Sequence, residues 1–123
     1  MAEHNETGKE GELIAMNFLQ AKGYKILEVN KRFGRAEVDI IAQIGLETVF
    51  VEVKTRSSSV FGFPEESIDK KKIDLLGRAA EAFVNENPHI SEIRFDLISV
   101  IIGLEKQEIT HIEDAFLPGA EWF

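Results

Sequence analysis

Asp39, Glu52 and Lys54 are the residues of this chain whose types and spacing best suit chemistry on phosphate. Twelve residues separate the two acids, and a single residue separates Glu52 from Lys54. Carboxylate oxygens are the ligands that Mg²⁺ and Mn²⁺ prefer, and such a cation polarises a phosphoryl oxygen and lowers the pKa of a bound water. A neighbouring ammonium group stabilises the charge that develops on phosphate. The three residues therefore predict a metal-dependent site, provided that the fold brings them together.

The stretch Val49–Arg56 holds two of these residues and has the composition of a buried strand. β-branched and aromatic residues dominate it, and neither Gly nor Pro interrupts it. Because side chains alternate between faces along a strand, its three valines face one side and Glu52 and Lys54 the other. Charges on a central strand are costly unless they are paired or bind a metal. A structural ion pair, or an edge strand with one hydrated face, is the alternative explanation.

Asp39 lies in a second predicted strand, Glu37–Ala42, although aspartate is unfavourable in strands. Strict alternation places Asp39 on the same face as Ile41 and opposite to its two immediate neighbours. Gly45 predicts a hairpin turn into the next strand. That turn can bring Asp39 level with Glu52, so that their carboxylates share one cation.

Glu12 is a third acidic candidate, on a predicted helix Thr7–Lys22. Thr7 and the glutamate three residues later form a capping box, and Gly23 follows as the C-terminal stop. Glu12 falls on the apolar stripe of this helix, which is an unusual position for a carboxylate. The alternative is a glutamate placed near the positive end of the helix dipole. A helix packed on the sheet would bring Glu12 to the two strand acids.

Candidate contacts to nucleic-acid phosphates are basic residues in three places. They lie in a predicted turn, Asn30–Arg35, at the end of the central strand, and in the first turn of a second predicted helix, from Ser67 to Asn85. The residues are Lys31, Arg32, Arg56, Lys70, Lys71 and Lys72. Cations in the first turn of a helix oppose its dipole, which favours a role such as contacting phosphate. A solvated lysine cluster is the alternative, with about equal weight.

The arrangement of elements predicts a single α/β domain spanning residues 1–123. Further strands are expected at Tyr24–Val29, Ile93–Ile102 and Gln107–Ile112. The resulting order is αβββαβ with a short C-terminal strand, and it predicts a mixed central β-sheet flanked by helices.

Composition narrows the setting in which this domain acts. The chain has no cysteine, which excludes disulfides and thiolate metal sites. No apolar run reaches membrane-spanning length, and the polar N-terminus is unlike a signal peptide, so we expect a cytoplasmic protein with no membrane partner. The net charge of −8 counts against nucleic acid as a partner. A local basic strip or a bound divalent cation would offset that charge.

The ordered set of motifs resembles the PD-(D/E)XK nuclease superfamily, and most closely its YraN-like bacterial family of uncharacterised proteins. Asp39 and Glu52-Val53-Lys54 match the superfamily motif, and Glu12 matches the helical glutamate of the Holliday-junction-resolvase branch. The YraN-like pattern covers nearly the whole chain. It consists of Gly8-x-x-Gly11-Glu12-x-x-Ala15, Gly23-Tyr24, Asn30-x-Arg32, Glu37-x-Asp39-x-Ile41, Val49-Phe-Val-Glu-Val-Lys-x-Arg56, Phe61-Gly62, Lys72, Arg94-Phe95-Asp96 and His111-Ile112-x-x-Ala115-Phe116. One departure is Ala36, where the family often has glycine.

The resemblance implies a restriction-endonuclease-like core and an endonuclease that depends on Mg²⁺ or Mn²⁺. Asp39 and Glu52 would be metal ligands together with the Val53 carbonyl, Lys54 the catalytic lysine, and Glu12 an accessory acid. Our first hypothesis is therefore an endonuclease that acts on nucleic acid as a homodimer, with branched or damaged DNA as the expected substrate. The choice between DNA and RNA, and between branched and linear substrates, stays open at this point.

Two other hypotheses remain open. Because the superfamily includes members that have lost cleavage, the chain is alternatively a non-catalytic module that binds nucleic acid or a protein partner and retains the nuclease fold. The third hypothesis is a subunit scaffold built on exposed aromatic side chains. These are Phe61, Phe63, Trp122 and Phe123.

Overall fold

The computed structural model describes residues 2–57 and 68–118, with side chains from residue 8 onward. Two helices and five strands follow one another in the predicted order, αβββαβ with a short last strand. They are α1 (Ala2–Ala21), β1 (Lys25–Phe33), β2 (Ala36–Ile44), β3 (Glu47–Arg56), α2 (Lys70–Glu86), β4 (Glu92–Ile102) and β5 (Gln107–Ile112). The predicted α/β class is confirmed. Ser67 and the four aromatic residues proposed for a subunit scaffold lie outside the described residues.

All five strands form one mixed sheet in the order β1-β2-β3-β4-β5. β3 and β4 are parallel, and the other neighbouring strands are antiparallel. A parallel connection needs a crossover, and α2 lies within it. This arrangement is compatible with the restriction-endonuclease-like core that the family resemblance implies. No helix in the two described ranges is long and apolar enough to span a membrane.

The two helices lie against separate apolar clusters on the sheet. On α1, Ala15 and Leu19 pack with Val49 and Val51 of β3, which confirms the valine face of that strand as core. On α2, the buried side chains pack with Phe50 and with residues of β2 and β4. Because β3 is covered on both faces, any charged residue on it needs a partner or a cation.

α1 begins at Ala2, so the predicted start at Thr7 is wrong. An N-cap residue has non-helical backbone angles, whereas Thr7 lies inside the helix. The preceding residues include alanine and two glutamates, which favour a helical N-terminus. The predicted end is confirmed: Gly23 has φ +95°, and the Tyr24 N–H donates to the Leu19 carbonyl at 3.0 Å. This is a Schellman-type termination.

The first hairpin is longer than predicted, which corrects the position of two basic residues. β1 runs to Phe33 and pairs with β2 as far as Phe33↔Ala36, so Lys31 and Arg32 lie in the strand rather than in a turn. The strand persists because Phe33 still packs on the core, edge-to-face with Phe83. The turn is at Gly34, where φ is +62°.

Strict alternation along β2 fails at Asp39. Val38 packs with Ile41 in the cluster beneath α2, whereas Ile40 packs in the cluster beneath α1. The prediction that Val38 and Ile40 share a face is therefore wrong. The physical reason is that β2 pairs with β3 only from Ile40 onward, so the strand is free to turn at Asp39.

Candidate metal-binding cleft

A cleft of about 310 Å³ lies beside α1, at the point where β2 and β3 separate. It contains all four residues that the sequence predicts as catalytic. The lining residues are Gly8, Glu12, Asp39, Glu52, Val53, Lys54 and Thr55. The side chains thus converge from one helix and two strands.

Asp39 is positioned by the end of the β2–β3 ladder. The last paired residues are Ile40 and Val51, and Asp39 would lie opposite Glu52 if pairing continued. Instead, the Val53 N–H donates to Asp39 Oδ2 at 2.8 Å. The side-chain carboxylate takes the place of a backbone acceptor, and this bond fixes it at the opening between the strands.

Glu52 is buried on β3, with only 4% of its surface exposed. The Lys72 ammonium lies 3.6 Å from Glu52 Oε1, which is an ion-pair distance but too long for a good hydrogen bond. Oε1 is buried and accepts no hydrogen bond from any described residue. An unpaired buried carboxylate oxygen is costly, and native structures contain few such groups.

The pKa values of Asp39 and Glu52 indicate that the cleft holds too little positive charge to stabilise both carboxylates in their ionised form. Burial raises the pKa of Asp39 to about 7, the Glu52 charge adds to this effect, and the Val53 N–H opposes it. Burial also raises the pKa of Glu52, although Lys72 and Lys54 act in the other direction. Two acids with raised pKa values in one cleft favour a functional site. A divalent cation would stabilise both carboxylates in their charged form.

Glu12 lines the same cleft but is not joined to this pair by a hydrogen bond. Its Oε1 accepts a hydrogen bond from Asn30 Nδ2 at 3.1 Å. Burial raises the pKa of Glu12, the Asn30 bond opposes this, and the Asp39 charge adds to it. Glu12 is therefore close enough to interact electrostatically with Asp39, and its role as an accessory acid stays a prediction.

Asp39 and Glu52 are the two carboxylates of the cleft that could hold a cation together. Across residues 2–57 and 68–118, no three His, Cys, Asp or Glu side chains are grouped so that they could hold one ion together. Two carboxylates still suit Mg²⁺, which is commonly held by one or two carboxylates together with waters and substrate phosphates. The observation in favour of the fit is that Glu52 Oε1 is buried and accepts no hydrogen bond from a described residue, with the Lys72 ammonium, at 3.6 Å, as its ion-pair partner.

Close packing of α1 on β3 brings Glu12 to the cleft. A Cβ atom added at Gly11 would lie 1.8 Å from the Thr55 Oγ1 atom, far inside van der Waals contact. Only glycine permits this approach. In contrast, a Cβ atom at Gly8 would meet nothing within 4 Å.

The structure does not gather the predicted phosphate contacts onto one surface. Lys72 pairs with Glu52, although it is not among the described residues that line the cleft. Arg32 pairs with Glu37 at 3.3 Å, and the Lys31 ammonium lies 5.8 Å from the centre of the Phe33 ring. Arg56 is the last residue of β3, and Lys70 and Lys71 line a separate groove.

A second buried charged cluster was given no role by the sequence. Arg94 makes two hydrogen bonds to Asp96, at 2.9 Å and 2.8 Å, and others to Glu47 and the Tyr24 hydroxyl. His111 Nε2 and the Asp114 N–H also bond to the Asp96 carboxylate. Burial alone would raise the pKa of Asp96, but these hydrogen bonds outweigh it and hold the pKa below its usual value. The signal in the sequence was an Arg-x-Asp pair within the apolar β4 strand.

Comparisons with known proteins agree on one family. The model of the uncharacterised protein family UPF0102 matches residues 11–100. Similar curated proteins include a UPF0102 protein of Christiangramia forsetii, 47% identical over 116 residues, and UPF0102 protein FP2501 of Flavobacterium psychrophilum, 51% identical over 116 residues. Each match covers 94% of this chain and 98% of the relative. A UPF0102 protein of Bacteroides thetaiotaomicron is 46% identical over 118 residues, which is 96% of this chain and 98% of that protein.

Proposed function

The chain belongs to the uncharacterised protein family UPF0102, as its resemblance to YraN-like proteins predicts, and we propose that it is a metal-dependent endonuclease. The substrate would be nucleic acid, with DNA preferred, and the reaction would be hydrolysis of a phosphodiester bond. The proposal includes a cytoplasmic location, as the sequence predicts.

One observation carries the proposal. Glu52 Oε1 is buried without a hydrogen bond from a described residue, next to an Asp39 carboxylate whose pKa is raised to about 7. Apolar residues would fill this position at lower cost if it served packing alone. The buried acids are better explained by a cation that they bind.

The roles of the side chains follow from their positions. Asp39 and Glu52 would hold Mg²⁺ or Mn²⁺, together with the Val53 carbonyl as the superfamily resemblance implies. When bound, the cation supplies charge stabilisation for phosphate and a more acidic water. Lys54 lines the cleft beside Glu52 and would contact the phosphate oxygen that gains charge. Glu12 would accept a proton or orient a water from the α1 side.

A cleavage assay tests the proposal. We expect the parent protein to cut members of a panel of linear, branched and single-stranded DNA and RNA in Mg²⁺ or Mn²⁺, but not in EDTA. Asp39→Asn and Glu52→Gln should each reduce the rate at least ~100-fold, as losses of charged catalytic groups commonly do. Glu108→Gln, a surface acid paired with Lys106, is the matched control. If Asp39→Asn and Glu52→Gln cut as fast as the Glu108→Gln control, the assignment would be wrong.

The second candidate is a non-catalytic module that binds nucleic acid or a protein partner. It is favoured by the Lys72 ammonium at 3.6 Å from Glu52, because a lysine in that place partly neutralises the acid without a metal. This candidate predicts binding of the nucleic-acid panel with no cleavage in any divalent metal. The same assay, run with a binding measurement, separates the two.

A further inference from the structure

A basic groove of about 680 Å³ lies between the β1–β2 turn and the first half of α2. Its lining residues are Arg35, Lys70, Lys71, Asp74, Leu75 and Arg78. Four cations and one acid therefore share this groove, on a chain whose net charge is −8. Clustering of one charge sign in a concave surface concentrates the potential and attracts ligands of the opposite sign.

Helix stability does not explain these cations. The first turn of α2 contains no acidic residue and begins with three lysines. Such charges oppose the positive end of the helix dipole, where Asp or Glu would be favoured. Lys72 interacts with Glu52, whereas Lys70 and Lys71 belong to the groove. Asp69 at the N-cap and Asp74 in the groove offset part of this positive charge, and a ligand with negative charges would offset more of it.

The spacing of the cations suits a chain of phosphates. Lys70 and Arg78 lie eight residues apart on one face of α2, with the acid Asp74 between them. Lys71 and Arg35 add two further cations to the groove. From residue 70 to residue 78 the helix rises roughly 12 Å. One strand of duplex DNA presents a phosphate about every 3.4 Å along its axis, so three or four phosphates fit this length.

We propose that the basic groove binds the phosphate backbone of duplex nucleic acid, independently of sequence, and leads it toward the Asp39–Glu52 cleft. This inference rests on the proposed function for its direction, since Lys71 lines the groove and the next residue, Lys72, pairs with Glu52 of the cleft. None of the described residues that line the groove is aromatic. These residues therefore offer phosphate contacts rather than the base stacking on which single-strand binding usually depends.

The test measures binding separately from cleavage. Fluorescence anisotropy with a 20-base-pair DNA duplex, in EDTA and in the Asp39→Asn background, reports binding alone across a salt series. The double variant Arg35→Gln/Arg78→Gln should weaken binding about tenfold at low salt, equally for unrelated sequences. It should also reduce the slope of log K against log salt by about one for each residue replaced.

A matched control removes the same number of charges elsewhere. Lys25→Gln/Lys106→Gln alters two exposed lysines outside the groove and should change affinity less than twofold. Urea unfolding of all variants verifies that they fold, and Lys71→Gln/Arg78→Gln serves as a second groove variant. The single strand of the same sequence should bind more weakly than the duplex.

The outcomes separate this inference from the proposed function. An unchanged salt slope in both groove variants, or an equal loss in the control, overturns the groove even if the parent protein cuts DNA. Tighter binding of the single strand than of the duplex overturns it as well. A reduced slope in a protein that never cuts supports the groove and contradicts the nuclease.

Discussion

Two buried acidic groups on neighbouring parallel strands differ in how completely they are compensated. Asp96 on β4 has no exposed surface and accepts four hydrogen bonds, two of them from Arg94. Glu52 on β3 is also buried, yet its Oε1 accepts none from the described residues. The pKa is lowered at Asp96 and raised at Glu52.

The difference shows that the hydrogen-bond partners of a buried carboxylate, rather than its depth of burial, decide whether its pKa is raised or lowered. Burial raises the pKa of both groups, and only at Asp96 do fixed donors reverse its effect. The Asp96 cluster joins β4 to β5 and to the chain that follows α1, which is a structural role. The cleft gives Asp39 and Glu52 too little nearby positive charge to offset their burial. A bound cation would supply that charge.

The largest effect is expected from breaking the compensated cluster. Arg94→Met should lower the free energy of unfolding by about 3–5 kcal/mol, because it leaves Asp96 buried without its main partner. Urea unfolding measures this loss. Arg32→Met is the control, since the Arg32–Glu37 pair is largely exposed and should contribute at most about 1 kcal/mol. Similar losses for both variants would contradict the claim that the Arg94–Asp96 cluster contributes more to stability than an exposed ion pair.

The two regions should also give opposite pH dependence in metal-free buffer. Burial raises the pKa of Asp39 to about 7 in the folded protein, from roughly 3.9 for an aspartate in an unfolded chain, so the folded state binds more protons between these values. Stability should therefore fall as the pH rises from about 4 to about 7, by up to roughly 4 kcal/mol. Asp39→Asn should reduce this fall to the part that Glu52 and Glu12 contribute, since burial raises their pKa values as well. Urea unfolding at each pH measures the difference.

Asp96 should give the opposite dependence of stability on pH. Its pKa is lowered in the folded state, so the stability that it contributes is present above about pH 4 and is lost as the pH falls further. This loss of stability at low pH, the acid limb of the curve, should remain in Asp39→Asn because Asp96 is unchanged. If Asp39→Asn instead lost the acid limb and kept the whole fall toward pH 7, the assignment of the two carboxylates would be wrong.

A smaller effect tests how geometry, as distinct from charge, sets up the cleft. Gly11→Ala should destabilise the protein by about 1–3 kcal/mol, because its Cβ atom overlaps the Thr55 side chain and forces α1 away from β3. Gly8→Ala on the same helix has open space and should stabilise it by roughly 0.5–1 kcal/mol. Differential scanning calorimetry compares the two. Shifts of the same sign would argue against close helix packing at Gly11.

The smallest effect concerns the cation that partly compensates the cleft. Lys72→Gln removes a charge that lowers the pKa of Glu52, so that pKa should rise further. Because a metal needs ionised carboxylates, the rising limb of the cleavage rate against pH should move to higher pH, by less than about one unit. Lys71→Gln, the adjacent lysine in the basic groove, should weaken substrate binding without moving this limb.

Much of the fold followed from the sequence, because hydrophobic period and glycine signals are local. The β3 valine face and the Gly23 helix end were predicted for that reason and are confirmed. The start of α1 was wrong because a capping-box pattern can also occur inside a helix that continues upstream. The face change at Asp39 escaped prediction because it depends on where β2 leaves β3, which is a tertiary feature.

The sequence likewise predicted which residues line the candidate site, but not all of the contacts that they make. The spacing of Asp39 and Glu52 indicated that they would meet, and both line one cleft. Nothing local revealed that the cation near Glu52 would come from α2, since Lys72 reaches it across a long sequence separation. The role of Asp96 was missed for a similar reason, because its partner His111 comes from another strand.

Calorimetric titration with Mn²⁺ at pH 8 tests the central claim most directly, since it needs no substrate. We predict one binding site per chain for the parent protein and for the surface control Glu108→Gln. Binding should be lost in Asp39→Asn and in Glu52→Gln, both of which should remain folded by circular dichroism. Undiminished Mn²⁺ binding by either cleft variant would contradict the account.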